Sequence, residues 1–492
     1  MGRRLREFVL SGCSEAREVR FVSDARSARF VGRAALAAAA RTWARELDAR
    51  AVPAGARVLI DVDDPLAFAV VHLAVMAAGR CSAPVDPSAP PAEATRVRDA
   101  LRPALVVTDR ADRAGILVAP GTGLPEEPSD GPGGGWGNGP EPGPGSVVLL
   151  TSGSTGEPKA VELGEAQLLH VAGAVARHHR LTASDRGYNA LPLFHINAQV
   201  VALLATLVAG GELVLDRRFH RTGFWPLLVE QDVTWINAVP SILTILSRDA
   251  GTDDHSPVVP PGLRFFRSAS APLPLVVREL ITARTGVPVV ESYGMTEAAS
   301  QITATPLDGP VRPGSVGRPV DVELQVVDAD GDPCPPDVAG RVLIRGAGVI
   351  SGYAGGRAAD RFDADGWLDT SDLGRLDADG FLYLVGRADD VVNRGGELVY
   401  PREVEEVLLG DGDVVEAVVL GRSDDVLGEV PVALVRTAAA DTAALVERLE
   451  ARCAERLARF KRPAEIRVID AFPLGPTGKV RRTVLRDQLA GV

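Results

Sequence analysis

The sequence predicts an α/β protein: a large N-terminal part of βαβ-type mixed sheets that includes a small β-barrel-like part, followed by a small C-terminal α+β unit. Three observations predict it. Short apolar, β-branched runs alternate with helical stretches from residue 33 to about residue 300, the pattern of a mostly parallel sheet covered on both faces. From 311 to 388 the helical signal fades and Gly/Asp turns separate strand-like runs. A second mixture of helices and strands then starts at 389, and 492 residues exceed what one core holds, since single cores stop growing at roughly 250–300 residues.

Taken in order, residues 33–50 have helical periodicity, RVLIDVDD reads as a strand and 65–79 as a helix. CSAPVDP is a short strand, 92–101 a helix and PALVVTD a strand. Residues 119–145 are so dense in Pro and Gly that they read as a loose surface loop. Their glycine run is no dinucleotide fingerprint, because no strand leads in and no helix follows. After 146 come a strand, a loop, the strand KAVEL and a helix at 165–179. Strands in RGYNALPLFH, ELVLD, VTWINAVP, LRFFRSASAPLP and VPVVESYGMTE then alternate with helices at 196–209, 240–248 and 274–286. VELQVVDADGDP, GRVLIRG and GFLYLVGR read as antiparallel strands. The last unit holds DDVVNRGG, the helix YPREVEEVLLG, the strands VEAVVLGR and VPVALVRT, a helix at 441–459 and the strand EIRVID. No internal repeat is visible.

Composition bounds the function. With 53 Lys+Arg against 65 Asp+Glu the net charge is −12, so a general nucleic-acid binder with its basic face is not expected. Cys13, Cys81, Cys334 and Cys453 form no CxxC pair, which argues against a zinc site or disulfide framework and fits a reducing compartment. The apolar run Phe8–Leu10 is too short for a signal core of about 7–15 residues. No apolar run reaches the ~20 residues that span a bilayer. A cytoplasmic protein is the expectation. The oligomeric state is not legible.

One stretch stands out. LLTSGSTGEPKAVEL (149–163) gathers Thr151, Ser152, Gly153, Ser154, Thr155 and Gly156, with Lys159 three residues on. Glycines expose backbone N–H groups, hydroxyls add donors and the lysine adds a mobile positive charge, which together cradle phosphate oxygens. The spacing is not that of the GxxxxGK[ST] loop, and the setting reads as strand–loop–strand rather than strand–loop–helix. By itself such a turn is also what a flexible surface loop looks like.

TSGSTGEPK closely resembles the phosphate loop of the adenylate-forming superfamily, which includes acyl- and aryl-CoA synthetases, peptide-synthetase adenylation domains and firefly luciferase. The resemblance recurs in order in LPLFH (191–195), SAPLP (270–274), ESYGMTE (291–297), GWLDTSDLGRLDADGFLYLVGR (366–387), GGELVYPREVE (395–405) and PTGK (476–479). The chain looks most like acyl- or aryl-CoA ligases.

The resemblance implies an activity and its residues. A carboxylate is a poor acyl donor until AMP supplies a leaving group, so the site must bind ATP and stabilise charge at the α-phosphorus. Tyr293 is expected to stack on adenine, with Ala271 and Pro272 opposite and Ser292, Gly294 and Met295 beside it. Thr296 is expected at the α-phosphate. Glu297 would hold Mg²⁺, a hard cation that takes oxygen ligands. Asp372 would accept from the ribose hydroxyls, with Arg387 assisting. The family commonly has glycine before this aspartate, where this chain has Ser371, and serine adds little bulk. Lys479 is the implied catalytic lysine. Asp389 matches the hinge about which a mobile domain, 389–492, turns against the adenylation domain, 1–388. Arg394, Gly395 and Gly396 would meet CoA, and Arg459, Lys461 and Arg462 are further candidates for its phosphates. His195, Asn197, Val200 and Val239 would line the acyl pocket, with Leu203 near. Amino-acid-activating members usually carry an aspartate at the His195 position. FHINAQV has no acid, and an uncompensated buried ammonium is costly, so the substrate lacks an α-amino group.

The expected reaction is ATP- and Mg²⁺-dependent activation of a small carboxylic acid to an acyl adenylate, then transfer to coenzyme A. Alternatives are loading of a carrier-protein phosphopantetheine, another use of the adenylate, and a non-catalytic nucleotide-binding protein of the same fold. The apolar residues of the pocket suggest an aliphatic or aromatic acyl group.

Overall fold

A computed structural model describes residues 4–10, 21–23, 29–126, 143–151, 159–248, 258–309, 312–354, 356, 359–437, 439–474 and 480–490. The first sheet has six strands in the order Ile116–Leu117, Leu105–Thr108, Arg57–Asp61, Cys81–Pro84, Ser146–Thr151 and Lys159–Gly164. All neighbours are parallel except the last two. The second sheet has nine strands. At its centre Val289–Tyr293, Phe265–Ser268, Trp235–Ala238, Arg186–Asn189 and Glu212–Leu215 run parallel.

Between them lies the helix Pro65–Ala77, every residue of which is buried. Its sequence, PLAFAVVHLAVMA, is apolar on all sides, as a helix enclosed by protein must be. Asp64 caps it by accepting from the Ala67 N–H at 2.7 Å, and Pro65 occupies the first turn where no N–H partner is needed. One apolar cluster runs from Leu5 to Leu368 and unites both sheets.

A four-stranded antiparallel sheet follows, Glu323–Val327, Gly340–Arg345, Leu368–Leu376 and Leu382–Arg387. The last unit has a five-stranded sheet built around the long hairpin Val414–Asp424 and Gly428–Thr437. Helices Pro401–Leu409, Thr442–Arg456 and Arg482–Ala490 pack on it. Its two apolar clusters are drawn wholly from residues 392–489, apart from the N-terminal core. No helix among the described residues is long and apolar enough to cross a membrane.

Three expectations change. The helix expected over 196–209 opens as a wide π-helical segment, Ala198–Leu204, before tightening to α over Ala205–Ala209. Residues 119–126 are no loose loop: Trp43 donates to the Gly123 carbonyl at 2.7 Å, and a Cβ on Gly123 would stand 2.6 Å from the Ala67 carbonyl. The helix Leu5–Leu10 and the strands Phe21–Ser23 and Arg29–Val31 went unread, because pieces this short show no periodicity.

Candidate active site

A cavity of about 1880 Å³ opens beyond the carboxyl ends of the parallel strands and is closed on one side by the C-terminal unit. Strand carboxyl ends are where open α/β sheets bind ligands, because the loops that leave them diverge. Thr151, Lys159, Tyr293, Glu297, Asp372 and Arg387 all line it, although they come from three different sheets and a 3₁₀ turn.

The stretch expected to hold phosphate starts and ends on paired strands. Thr151 and Lys159 face each other across the antiparallel pair Ser146–Thr151 and Lys159–Gly164, so the setting is strand–loop–strand. Ser152, Gly153, Ser154, Thr155 and Gly156 lie outside the described residues. The Lys159 ammonium stands 5.5 Å above the Tyr353 ring, a cation–π distance.

Tyr293 ends the strand Val289–Tyr293 and donates its hydroxyl to Asp372 Oδ2 at 2.5 Å. Arg387 Nη1 reaches the other oxygen, Oδ1, at 3.4 Å. The residues expected at adenine and ribose are thus joined. Burial, and then the charge of Asp372, hold the Tyr293 phenol well above its ordinary range, so it stays a donor. Gly294 follows because a Cβ there would lie 1.5 Å from the Ser300 carbonyl. Ala271, Pro272, Ser292, Met295 and Thr296 also line the cavity.

Ser371 has φ 62°, in the left-handed region that costs an L-residue about 1–2 kcal/mol and glycine almost nothing. Backbone conformation, not bulk, explains the glycine of the family pattern. The Ser371 N–H donates to Asp369 Oδ1 at 2.7 Å, a bond glycine would keep. Ser371→Gly is expected to stabilise the nucleotide-free protein by about 0.5–1 kcal/mol, less the entropy glycine gains on unfolding. A raised thermal midpoint would show it, and a lowered one would refute the strain.

Glu297 sits on the 3₁₀ turn Thr296–Ala298, 5% exposed. Tyr353 donates its hydroxyl to Oε1 at 2.7 Å and Arg361 Nη1 lies 3.5 Å from the same oxygen. Arg361 also bonds the Tyr353 hydroxyl and the Asp369 carbonyl. Among the described residues nothing hydrogen-bonds Oε2, and no three His, Cys, Asp or Glu side chains gather into a metal cage. One carboxylate completed by phosphate oxygens is a donor set that suits magnesium, so the residues present fit the ion. The sequence reading missed Tyr353, in a loop, and Arg361, at the end of the short 3₁₀ turn Ala359–Arg361, because neither has periodicity or spacing to mark it.

His195, Asn197 and Val239 line the cavity. Val200 and Leu203 do not: both are fully buried, turned into the core by the π-helical segment. The His195 ring packs 4.3 Å from that of Phe194.

Glu291 is 5% exposed and also lines the cavity. Burial pushes its carboxyl up to about 7, against the opposing pull of Arg402, Arg278 and the Leu273 N–H. Arg278 Nη1 is 3.9 Å from Oε2, and Arg402 belongs to the C-terminal helix Pro401–Leu409. A raised carboxyl binds its proton more tightly when folded. Its contribution is therefore full below the ordinary value of 4.5 and is lost as pH rises through about 7. The loss is on the order of 3 kcal/mol. Glu291→Gln is expected to flatten the fall in thermal midpoint across that window. An unchanged slope would assign it to other groups.

In the C-terminal unit, Arg387 Nη2 lies 3.7 Å from Asp389 Oδ2, and Arg486 donates to the Asp389 carbonyl at 3.2 Å. Arg394, expected at the CoA phosphates, is engaged within its own unit. Its Nη1 donates to the carbonyls of Phe460 and Arg462 at 2.9 and 3.2 Å and reaches that of Arg459 at 3.5 Å. Lys461 is paired with Glu403 at 2.7 Å and Arg462 donates to Leu457 and Ala454 carbonyls. These cations are engaged within their own unit, Arg394 and Arg462 by backbone carbonyls and Lys461 by a carboxylate. Gly395 and Gly396, at φ 62° and 91°, form the exposed tip of a hairpin that does not line the cavity. Lys479 lies outside the described residues. The bridge Leu474↔Val480 closes the base of its segment, and Val480 lines the cavity.

Comparison with known proteins gives a consistent picture. The family model described as AMP-binding enzyme matches residues 19–354, and the AMP-binding enzyme C-terminal domain matches 403–479. The chain is 41% identical over 352 residues to a sulfoacetate–CoA ligase of Cupriavidus necator, covering 70% of this chain and 67% of the relative. It is 38% identical over 351 residues to an oxalate–CoA ligase of Arabidopsis thaliana, with the same two coverages, 70% and 67%. Among solved structures, the o-succinylbenzoate CoA synthetase of Bacillus subtilis in complex with its acyl-adenylate intermediate superposes with a TM-score of 0.84. It is 27% identical and covers 99% of this chain and 98% of that one.

Proposed function

The chain belongs to the AMP-binding enzyme family, and from that premise we propose that it is an AMP-forming acid–thiol ligase using ATP, Mg²⁺ and coenzyme A. The observation that carries the reading is the convergence of Thr151, Lys159, Tyr293, Glu297, Asp372 and Arg387 on one cavity.

An oxygen of the acid's carboxylate attacks the α-phosphorus, the bond to the β-phosphate oxygen breaks, and pyrophosphate leaves. Thr151, Lys159 and the segment between them hold phosphate oxygens, Thr296 meets the α-phosphate, and Asp372 with Arg387 grips the ribose. Glu297 would hold Mg²⁺, which neutralises triphosphate charge when bound; Tyr353 and Arg361 fix the carboxylate's orientation. Lys479 stabilises the charge that grows at the α-phosphate. The unit 389–492 then turns about Asp389, carrying Gly395 and Gly396 toward the cavity. The CoA sulfur attacks the acyl carbon, the bond to the phosphate oxygen breaks, AMP leaves and the thiol proton is released.

Cys81, Cys334 and Cys453 are free thiols, which supports a cytoplasmic setting. The test is ATP-dependent pyrophosphate release over a panel of acids, followed by thiol exchange with CoA and with a carrier protein. Acid-dependent release with a CoA thioester as product supports the reading. Product on the carrier alone would move the acceptor, and no release with any acid would sink the ligase assignment.

A further inference from the structure

The strand Phe265–Ser268 carries Arg267 into the interior with no exposed area. Its hydrogen-bond partners among the described residues are amides. Nη1 donates to Oδ1 of Asn197 at 3.3 Å and of Asn237 at 3.2 Å, and Nη2 to Oε1 of Gln301 at 3.4 Å. Nε has no hydrogen bond, and no Asp or Glu pairs with the guanidinium among the described residues. Register explains why. Asn189, Asn237 and Arg267 stand on one rung of three neighbouring parallel strands and share a face. Glu291, on the next strand, is in register with Ser268 rather than Arg267 and so faces the other side.

Interior charges are normally paired, since each unpaired one costs several kcal/mol of desolvation. Burial draws this guanidinium down to about 9, which still leaves it cationic at neutral pH. The cation lies one residue behind the cavity. Asn197 turns its oxygen inward to Arg267 and to Asn237 at 3.1 Å, and its Nδ2 donates to Ser270 Oγ at 3.1 Å. Asn197 and Ser270 both line the cavity. What this floor offers outward is therefore donor groups backed by positive charge.

We propose that this floor holds a second anionic group on the substrate, so that the pocket takes a dianionic acid, and that Arg267 sets the preference through Asn197 and Ser270. The proposal rests on the ligase reading above and names its acid class. The reacting carboxylate is a poor match for the buried cation, because it loses its charge on becoming an anhydride. A second anion keeps its charge through both half-reactions. The acids named for the relatives, sulfoacetate, oxalate and o-succinylbenzoate, each carry a second acidic group. Of the three residues behind the expected apolar acyl group, Val200 and Leu203 are buried and Val239 alone lines the cavity.

The experiment uses the full chain with Mg-ATP and CoA and compares malonate with propionate and succinate with butyrate. The expected result is a preference in kcat/KM for a dianion of about 100-fold or more over its matched monocarboxylate. Arg267→Gln should cut that preference to about tenfold or less by raising KM for the dianion, with KM for ATP unchanged. If the variant does not fold, the wild-type protein decides. A dianion should raise its thermal midpoint more than the matched monocarboxylate does, and Asn197→Ala should abolish the difference. Equal kcat/KM within each pair, or release with monocarboxylates alone, overturns the assignment and leaves the ligase reading standing. No acid-dependent release with any acid overturns both.

Discussion

Lys479→Ala is expected to slow acyl-adenylate formation by about 100- to 1000-fold, the effect of removing one preorganised donor from a developing anion. ATP binding should change little, because Thr151, Lys159 and the pair Asp372–Arg387 remain. The measurement is pyrophosphate release in a single turnover with saturating acid and ATP. The discriminating readout is the second half-reaction. Supplied with a presynthesised acyl adenylate and CoA, the variant should form thioester at nearly the wild-type rate, since in the proposed cycle Lys479 acts only in adenylation. If both half-reactions slow together, the segment after Leu474 positions the whole unit and is not specific to adenylation. Retained adenylation would remove Lys479 from the mechanism.

Asp372→Ala should raise KM for ATP by about 100-fold or more. A hydrogen bond to a charged acceptor is worth about 1.5–3 kcal/mol, and about 1.4 kcal/mol is tenfold. The alanine removes the acceptor for the ribose hydroxyls and also the partner of Tyr293 at 2.5 Å and of Arg387 at 3.4 Å. Tyr293 then keeps a buried phenol without its acceptor, so the thermal midpoint should fall as well. Asp372→Asn retains an acceptor oxygen and should be milder on both counts, about tenfold in KM. KM for the acid should stay close to its wild-type value, because His195, Asn197 and Ser270 come from other segments of the chain. An unchanged KM for ATP would place the ribose elsewhere.

Much of the site was legible because it is written in short contiguous motifs. TSGSTGEPK announces its loop, and the described ends, Thr151 and Lys159, are paired as the strand–loop–strand reading requires. ESYGMTE places Tyr293, Gly294 and Glu297 in one turn, where Gly294 is demanded by the Ser300 carbonyl. Misreadings came where side-chain direction decides. The family resemblance put Val200 at the acyl pocket, but it is fully buried within the π-helical segment and does not line the cavity. Arg394, expected at CoA phosphates from NRGGELV, donates in this structure to the carbonyls of residues 460 and 462, a partnership that the local motif does not show. Ser371 was weighed by volume when its φ of 62° is the relevant quantity.

The sequence by itself determined the α/β class, the order of the elements and the chemistry of nucleotide activation, because hydrophobic periodicity and local motifs depend on residues close along the chain. Tertiary structure decided the acid end of the pocket. Arg267 lies in an apolar strand and carries no motif of its own. Its meaning comes from the register that sets it beside Asn237 and Asn189, and from Asn197 folding over it, 70 residues away in sequence. Whether a buried charge is balanced depends on which groups surround it in space, and periodicity along a chain does not record that.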